Sequence, residues 1–113
     1  MSNKQGKELA VFFHMIYELN KGLRNLALLT TTPDNLEIVK ERLEKCKYEF
    51  LVEELEEKYV NIFFGTKEPI EVLKRFSKDS LKKYSPEEDF ILGVLLGYNT
   101  EQQCKRYLKM KSE

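Results

Sequence analysis

Apolar residues along the chain change period several times, and each change marks an element. Leu9, Phe12, Phe13, Ile16 and Leu19 recur at steps of three and four, which predicts a helix over 8–20. Val11 and Met15 widen its apolar arc, so this helix is expected to be covered on more than one side. Gly22 ends it as a C-terminal cap. Leu26 and Leu28 then alternate with Ala27 and Leu29, and threonines follow, which predicts a strand over 23–31 that is sandwiched on both faces. Thr32-Pro33-Asp34 joins a capping hydroxyl, a first-turn proline and an acid, and starts a helix running to about residue 45. Leu36, Val39 and Leu43 form its inward stripe.

The period then falls to two. Tyr48, Phe50 and Val52 on one segment and Val60, Ile62 and Phe64 on the next predict a β-hairpin over 48–55 and 58–64. Glu53, Glu54, Glu56 and Glu57 surround its turn as a solvated acidic rim. Gly65-Thr66 turns the chain into a helix over about 67–76, carrying Ile70, Leu73 and Phe76. A basic connector, 77–84, with one helical turn follows. Ser85-Pro86-Glu87-Glu88 is a capping box that launches a helix over 87–96, and Thr100-Glu101-Gln102-Gln103 launches a last one to about residue 110.

Together these elements predict an α+β domain over 8–113 behind a polar, frayed tail, 1–7. It has a three-stranded sheet and about five helices. The β-α-β-β-α core, with a right-handed crossover, resembles a truncated ferredoxin-like plait in which the hairpin's second strand is central. A sheet this apolar on both faces needs cover from helices or from a second subunit, so a homodimer is expected.

Composition narrows the class. A chain of 113 residues fits one core, and 42% hydrophobic residues with seven Phe and six Tyr are ordinary for a globular one. Lys+Arg and Asp+Glu stand equal at 19 each, which argues against a dedicated nucleic-acid binder. Cys46 and Cys104 lack metal-ligand or CxxC spacing and read as small buried hydrophobes in a reducing compartment. Lys4 and Lys7 before the apolar run 9–17 imitate a signal peptide. His14 interrupts the run, no small-residue cleavage site follows, and the run is about half a membrane span. The expectation is a cytoplasmic protein without a membrane partner.

Candidate chemistry is sparse. His14, Tyr17, Glu18 and Lys21 share a helical face, with Arg24 just beyond. A histidine beside a carboxylate can shuttle protons near neutral pH, although the same spacing describes an ordinary surface pair. No nucleophile, metal-ligand set or phosphate loop accompanies it, so no reaction class can be named and no cofactor or metal is expected. Gly65-Thr66 offers backbone N–H groups to an anion, but a plain helix cap explains it as well. Gly93 costs a helix about 1 kcal/mol against alanine, which predicts close approach of another backbone, from the core or from a partner. Gly97 is expected to cap the helix end. Lys74, Arg75, Lys78, Lys82 and Lys83 around the connector, and Lys105, Arg106, Lys109 and Lys111 on the last helix, meet few acids. If those two helices adjoin, they form a basic face for docking an acidic partner. Phe76, Tyr84 and Tyr107 interleave with these cations, but no aromatic RNA-binding motif lies on the strands.

Several runs carry a family resemblance. They are His14-Met15-Ile16-Tyr17-Glu18, Lys21-Gly22-Leu23-Arg24-Asn25-Leu26, Asn61-Ile62-Phe63-Phe64-Gly65, Ser85-Pro86-Glu87-Glu88-Asp89-Phe90-Ile91-Leu92-Gly93, Leu96-Gly97-Tyr98 and Gln103-Cys104. In order and spacing the chain resembles an uncharacterised bacterial domain-of-unknown-function family, number twenty twenty-three. The resemblance implies three strands, five helices and a homodimer. It also implies a flavodoxin partner, since members are often encoded beside one. Three functions are therefore open: a homodimeric accessory module linked to flavodoxin-dependent redox metabolism, a ligand-binding domain or enzyme using His14, Glu18, Arg24 and Tyr98, and a nucleic-acid-binding regulator.

Overall fold

Where the apolar period is long and bounded by caps, the computed structural model forms the element expected. It describes residues 3–55, 58–76 and 84–112, with side chains from residue 6 onward. In chain order the elements are α1 (Asn3–Asn20), β1 (Leu26–Thr31), α2 (Pro33–Cys46), β2 (Glu49–Glu54), β3 (Val60–Gly65), α3 (Lys67–Lys74), α4 (Pro86–Leu95) and α5 (Thr100–Lys111). This is a mixed α+β fold with an antiparallel sheet ordered β1-β3-β2. The hairpin's second strand is central, as the plait resemblance requires.

The register sorts side chains into two faces. Ala27, Phe64 and Phe50 lie in one cross-strand row, with Leu29, Ile62 and Val52 in the next row of the same face. That face packs against Phe12, Ile16 and Leu19 of α1 and Val39 and Leu43 of α2. Leu26, Leu28, Phe63 and Leu51 point the other way, onto Ile70 and Leu73 of α3 and Leu92, Leu95 and Leu96 at the end of α4. The sheet is a middle layer with helices on both sides. Burying each Leu, Ile or Phe of these clusters contributes about 1.5–3 kcal/mol, so the two half-cores together hold the domain.

Local stops explain most of the boundaries. Gly22 takes φ 74°, while Gly22 N–H donates to the Leu19 carbonyl and Leu23 N–H to that of Glu18. This Schellman turn uses Leu23, and β1 starts at Leu26 instead of residue 23. The same motif closes α4: Gly97 takes φ 83°, its N–H donates to Val94 and that of Tyr98 to Gly93. It recurs at α2, where Lys47 adopts φ 63° without being glycine. At Gly65 a side chain has no room, because a Cβ would run into the Asn25 carbonyl. Thr66 N–H donates to that same carbonyl at 3.0 Å, which ties β3 to the entry of β1.

Several expectations need correction. Helix α1 begins at Asn3, so it continues through most of the stretch that reads as a frayed tail. Its inward stripe is narrower than the apolar count implies: Val11 is exposed, and Phe13 is 41% exposed. The Arg42 guanidinium lies over the Phe13 ring, 5.1 Å from its centroid, and the Phe12 ring is 5.4 Å away on the same helix. Thr32 and Thr66 occupy N-cap positions but make no side-chain cap bond. The Ser85 box forms fully, with Glu88 N–H on Ser85 Oγ at 3.1 Å and Ser85 N–H on Glu88 Oε1 at 3.0 Å. The second box does not form around Thr100; Asn99 is the cap, its Oδ1 accepting from Gln102 N–H at 3.0 Å. An asparagine is at least as good a cap as threonine, so the helix starts one residue earlier, at Thr100. Cys46 and Cys104 are free and half-buried, not fully buried. The expected helical turn in the connector falls outside the described residues.

Candidate functional site

The cluster read from α1 does assemble. The Schellman turn at Gly22 folds the chain back over the last turn of α1, and this brings the Arg24 guanidinium to 3.2 Å from Glu18 Oε1. His14 Nε2 lies 3.8 Å from the same oxygen, beyond hydrogen-bond reach. Its ring stacks on Tyr17 at 6.2 Å, and Lys21 Nζ lies 5.7 Å from the Tyr17 centroid. His14 faces solvent, its side chain 69% exposed, while Glu18 and Arg24 are partly covered. Glu18 therefore serves as the acid of a surface ion pair. Tyr98 does not join them, since it sits after α4 on the opposite side of the sheet.

A second polar cluster, which the one-dimensional pattern did not reveal, is buried. Thr31 Oγ1 donates to Glu8 Oε1 at 2.5 Å and accepts from Asn35 Nδ2 at 2.9 Å. Thr31 and Asn35 are both fully buried. The network joins α1, β1 and α2, and among the described residues no buried side-chain polar atom lacks a partner. Its role is to lock three elements together. On the other face of the sheet Thr30 Oγ1 donates to Asn61 Oδ1 at 2.6 Å, and Asn61 Nδ2 to Glu53 at 3.4 Å.

The expected basic face is broken up by its own acids. Lys74 pairs with Glu71, Lys105 with Glu101 and Lys111 with Glu87. Arg106 holds Asp89 through two bonds of 2.7 and 3.1 Å, and the contact raises its already high pKa. Helix α5 lies along α4, so the cations of the two runs are divided between different supports. Arg75 and Lys109 have no ion pair among the described residues. Lys78, Lys82 and Lys83 fall outside them.

Gly93 does mark a close approach, and the neighbour is within the chain. A Cβ there would meet the Gln103 side chain of α5, not a second backbone. With Gly93 under Gln103, Asp89 beside Arg106 and Glu87 beside Tyr107 and Lys111, α4 and α5 form an antiparallel hairpin. Tyr107 Oη donates to Glu87 at 2.9 Å. That bond and the contact with Lys111 lower the Glu87 carboxyl pKa, and the Glu87 carboxylate in turn raises those of Tyr107 and Lys111.

Along one flank of this hairpin runs an open groove of about 490 Å³, lined by Glu87, Phe90, Ile91, Cys104, Tyr107 and Leu108. Within it Leu108 is 64% exposed and Ile91 is exposed, and Val94, one turn beyond Ile91 on α4, is exposed as well. The signal was present in the sequence. Phe90-Ile91-Leu92-Gly93-Val94-Leu95-Leu96 has no polar face, and Cys104, Tyr107 and Leu108 recur at steps of three and four. Among the described residues no helix is long and apolar enough to cross a membrane, and no three His, Cys, Asp or Glu side chains group as metal ligands.

Among curated proteins none matches the chain. The family model described as protein of unknown function, DUF2023, matches residues 10–110, nearly all of the fold described above, and the chain belongs to that family.

Proposed function

We propose that this protein is a small homodimeric accessory module that acts by binding, in the cytoplasm, with flavodoxin as its partner. The observation that carries the binding role is the apolar flank of the α4–α5 hairpin, where Ile91, Val94 and Leu108 stand in solvent. The polar cluster of α1, by contrast, lies on an open helical surface with its carboxylate already engaged by Arg24. An interaction module is therefore favoured over a ligand-binding domain or enzyme built on His14, Glu18 and Arg24. Flavodoxin as partner is supported by the family resemblance and by Arg75 and Lys109, whose charge is not cancelled by a neighbouring acid among the described residues. An acidic flavoprotein would meet these cations in an electrostatically steered encounter.

Mixing the purified protein with flavodoxin and following association by light scattering tests this. A complex is expected at low ionic strength that weakens as salt rises and the Debye length shortens. Charge reversal at Arg75 and Lys109 should weaken it further. If no complex forms even at the lowest salt, flavodoxin is not the partner. If single-stranded RNA binds in its place with a steep salt dependence, the protein is a nucleic-acid regulator.

A further inference from the structure

We infer that the free edge of β2 receives an extended basic segment of a partner protein, which adds to the sheet as a further strand. This goes beyond the binding role proposed above, since it concerns a different surface and a partner segment of the opposite charge.

The hydrogen-bond pattern identifies the main-chain groups on that edge. Among the described residues β2 pairs with β3 on one side and with no strand on the other. Leu55 N–H donates to the Tyr59 carbonyl at 2.9 Å, and this pair lies in the same register as the rest of the hairpin. Bonded pairs alternate with unbonded ones in an antiparallel ladder. Glu49, Leu51 and Glu53 therefore turn their N–H and C=O groups inward to β3. The bond from Thr66 N–H to the Asn25 carbonyl gives the same alternation along β3 from its β1 side. Phe50, Val52 and Glu54 are left with N–H and C=O groups pointing outward. Helices α2 and α3 reach β2 over its two faces, through Phe50 on one and Leu51 on the other, and neither continues the ladder. Such a row of main-chain groups is a template for another strand, and strand addition is a recurrent mode of peptide recognition.

Charge selects the occupant. From residue 47 to residue 60 the hairpin carries five glutamates against two lysines, in a chain that is neutral as a whole. Glu49 and Glu54, at the two ends of β2, are exposed and make no ion pair among the described residues. They differ in this from Glu87, Asp89 and Glu101 of the α4–α5 hairpin, each of which already holds a base. Between the two free acids, about 17 Å apart along the strand, Val52 is apolar and 38% exposed. The complement is a short β-forming stretch with Lys or Arg at both ends. A second copy would bring the same acids to the same edge, and like charges across a strand pair oppose one another. A polynucleotide is repelled by them as well.

A synthetic peptide with a Val-Thr-Val centre and two lysines at each end is the probe. It is titrated against the full chain at low ionic strength and followed by amide hydrogen exchange. The probe should bind, more weakly as salt rises, and should slow exchange at Phe50, Val52 and Glu54. Leu51 and Glu53 should be slow before it is added, because β3 already holds them. Glu49→Lys combined with Glu54→Lys should raise the dissociation constant about tenfold or more. Both positions are exposed, so the fold is kept, which far-ultraviolet circular dichroism would verify. Val52→Pro removes an outward N–H but no ladder bond and should also weaken binding. A peptide of the same charge with prolines throughout its centre, and one with glutamates in place of the lysines, should not bind. If the proline peptide binds as well as the probe, the acids attract by charge alone and the edge is not a docking strand. If the glutamate peptide binds as well, charge does not select the occupant and the inference fails. It fails too if the probe does not bind, or binds without slowing the three outward amides. The flavodoxin reading, tested at Arg75 and Lys109, is untouched by these outcomes.

Discussion

The Thr31 hydroxyl is held between the Glu8 carboxylate and the Asn35 amide, donating to the first and accepting from the second. Valine has nearly the same shape but neither function. Thr31→Val would leave a carboxylate without its hydroxyl donor and take an acceptor from a fully buried amide. Losses of this kind cost about 1–3 kcal/mol, so the urea midpoint should fall with an unchanged slope. An unshifted midpoint would show that the network is dispensable. The residue was legible as part of a strand, but its partnership was not. Glu8 lies 23 positions away, and only the tertiary fold brings it near. His14, Tyr17, Glu18 and Lys21 were legible as a group because a helix alone dictates their proximity. Arg24 joined them through a turn whose signal, Gly22, was also local.

Among the elements, the two caps of the α4–α5 hairpin separate what a local motif determines from what competes with it. Ser85 forms both bonds of its box, whereas Asn99 forms the cap bond expected of Thr100. Ser85→Ala and Asn99→Ala should each cost about 1 kcal/mol of stability, whereas Thr100→Ala should change it by less than about 0.5 kcal/mol. Thermal unfolding of the three variants decides this, and a large effect at Thr100 would return the cap to that residue. Gln103, the residue that would complete the Thr100 box, instead lies over Gly93. Similar competition shortens β1, whose first apolar residue is used by the Schellman turn. It also removes the side-chain cap at Thr66, whose hydroxyl turns to the Asn25 carbonyl. Val11 and Phe13 were misjudged for another reason: hydrophobic spacing shows that a side chain can be buried, not that a neighbour exists to bury it.

At the scale of the molecule, the side on which α2 packs was legible, since right-handed crossovers fix it. Helix α3 follows the last strand and returns to no further one, so no handedness rule places it, and with α4 it makes the sheet a middle layer. Tyr84 sits where that second layer closes. Its ring meets Phe76 edge-on at 5.4 Å. Burial, followed by the charges of Glu53 on β2 and Glu88 on α4, pushes its phenol up to about 12 from an ordinary 10.0. In the unfolded chain the phenol titrates near its ordinary value. Between pH 10 and 12 the unfolded state has therefore lost a proton that the folded state keeps. The sign follows directly. Tyr84's contribution to stability is fully present below about pH 10 and is lost as pH rises towards 12. Because the ring is half-exposed, screening limits the effect to about 1 kcal/mol. Tyr84→Phe cannot ionise and should lose less stability than the wild type over this range. The other tyrosines titrate in both proteins, so the difference between their two alkaline unfolding curves isolates Tyr84. Curves that run parallel from pH 9 to 12 would mean that the phenol is not held between those two carboxylates. A widening gap in favour of the phenylalanine variant would place Tyr84 beside β2 and α4 in solution, at the junction that orients the α4–α5 hairpin on the sheet.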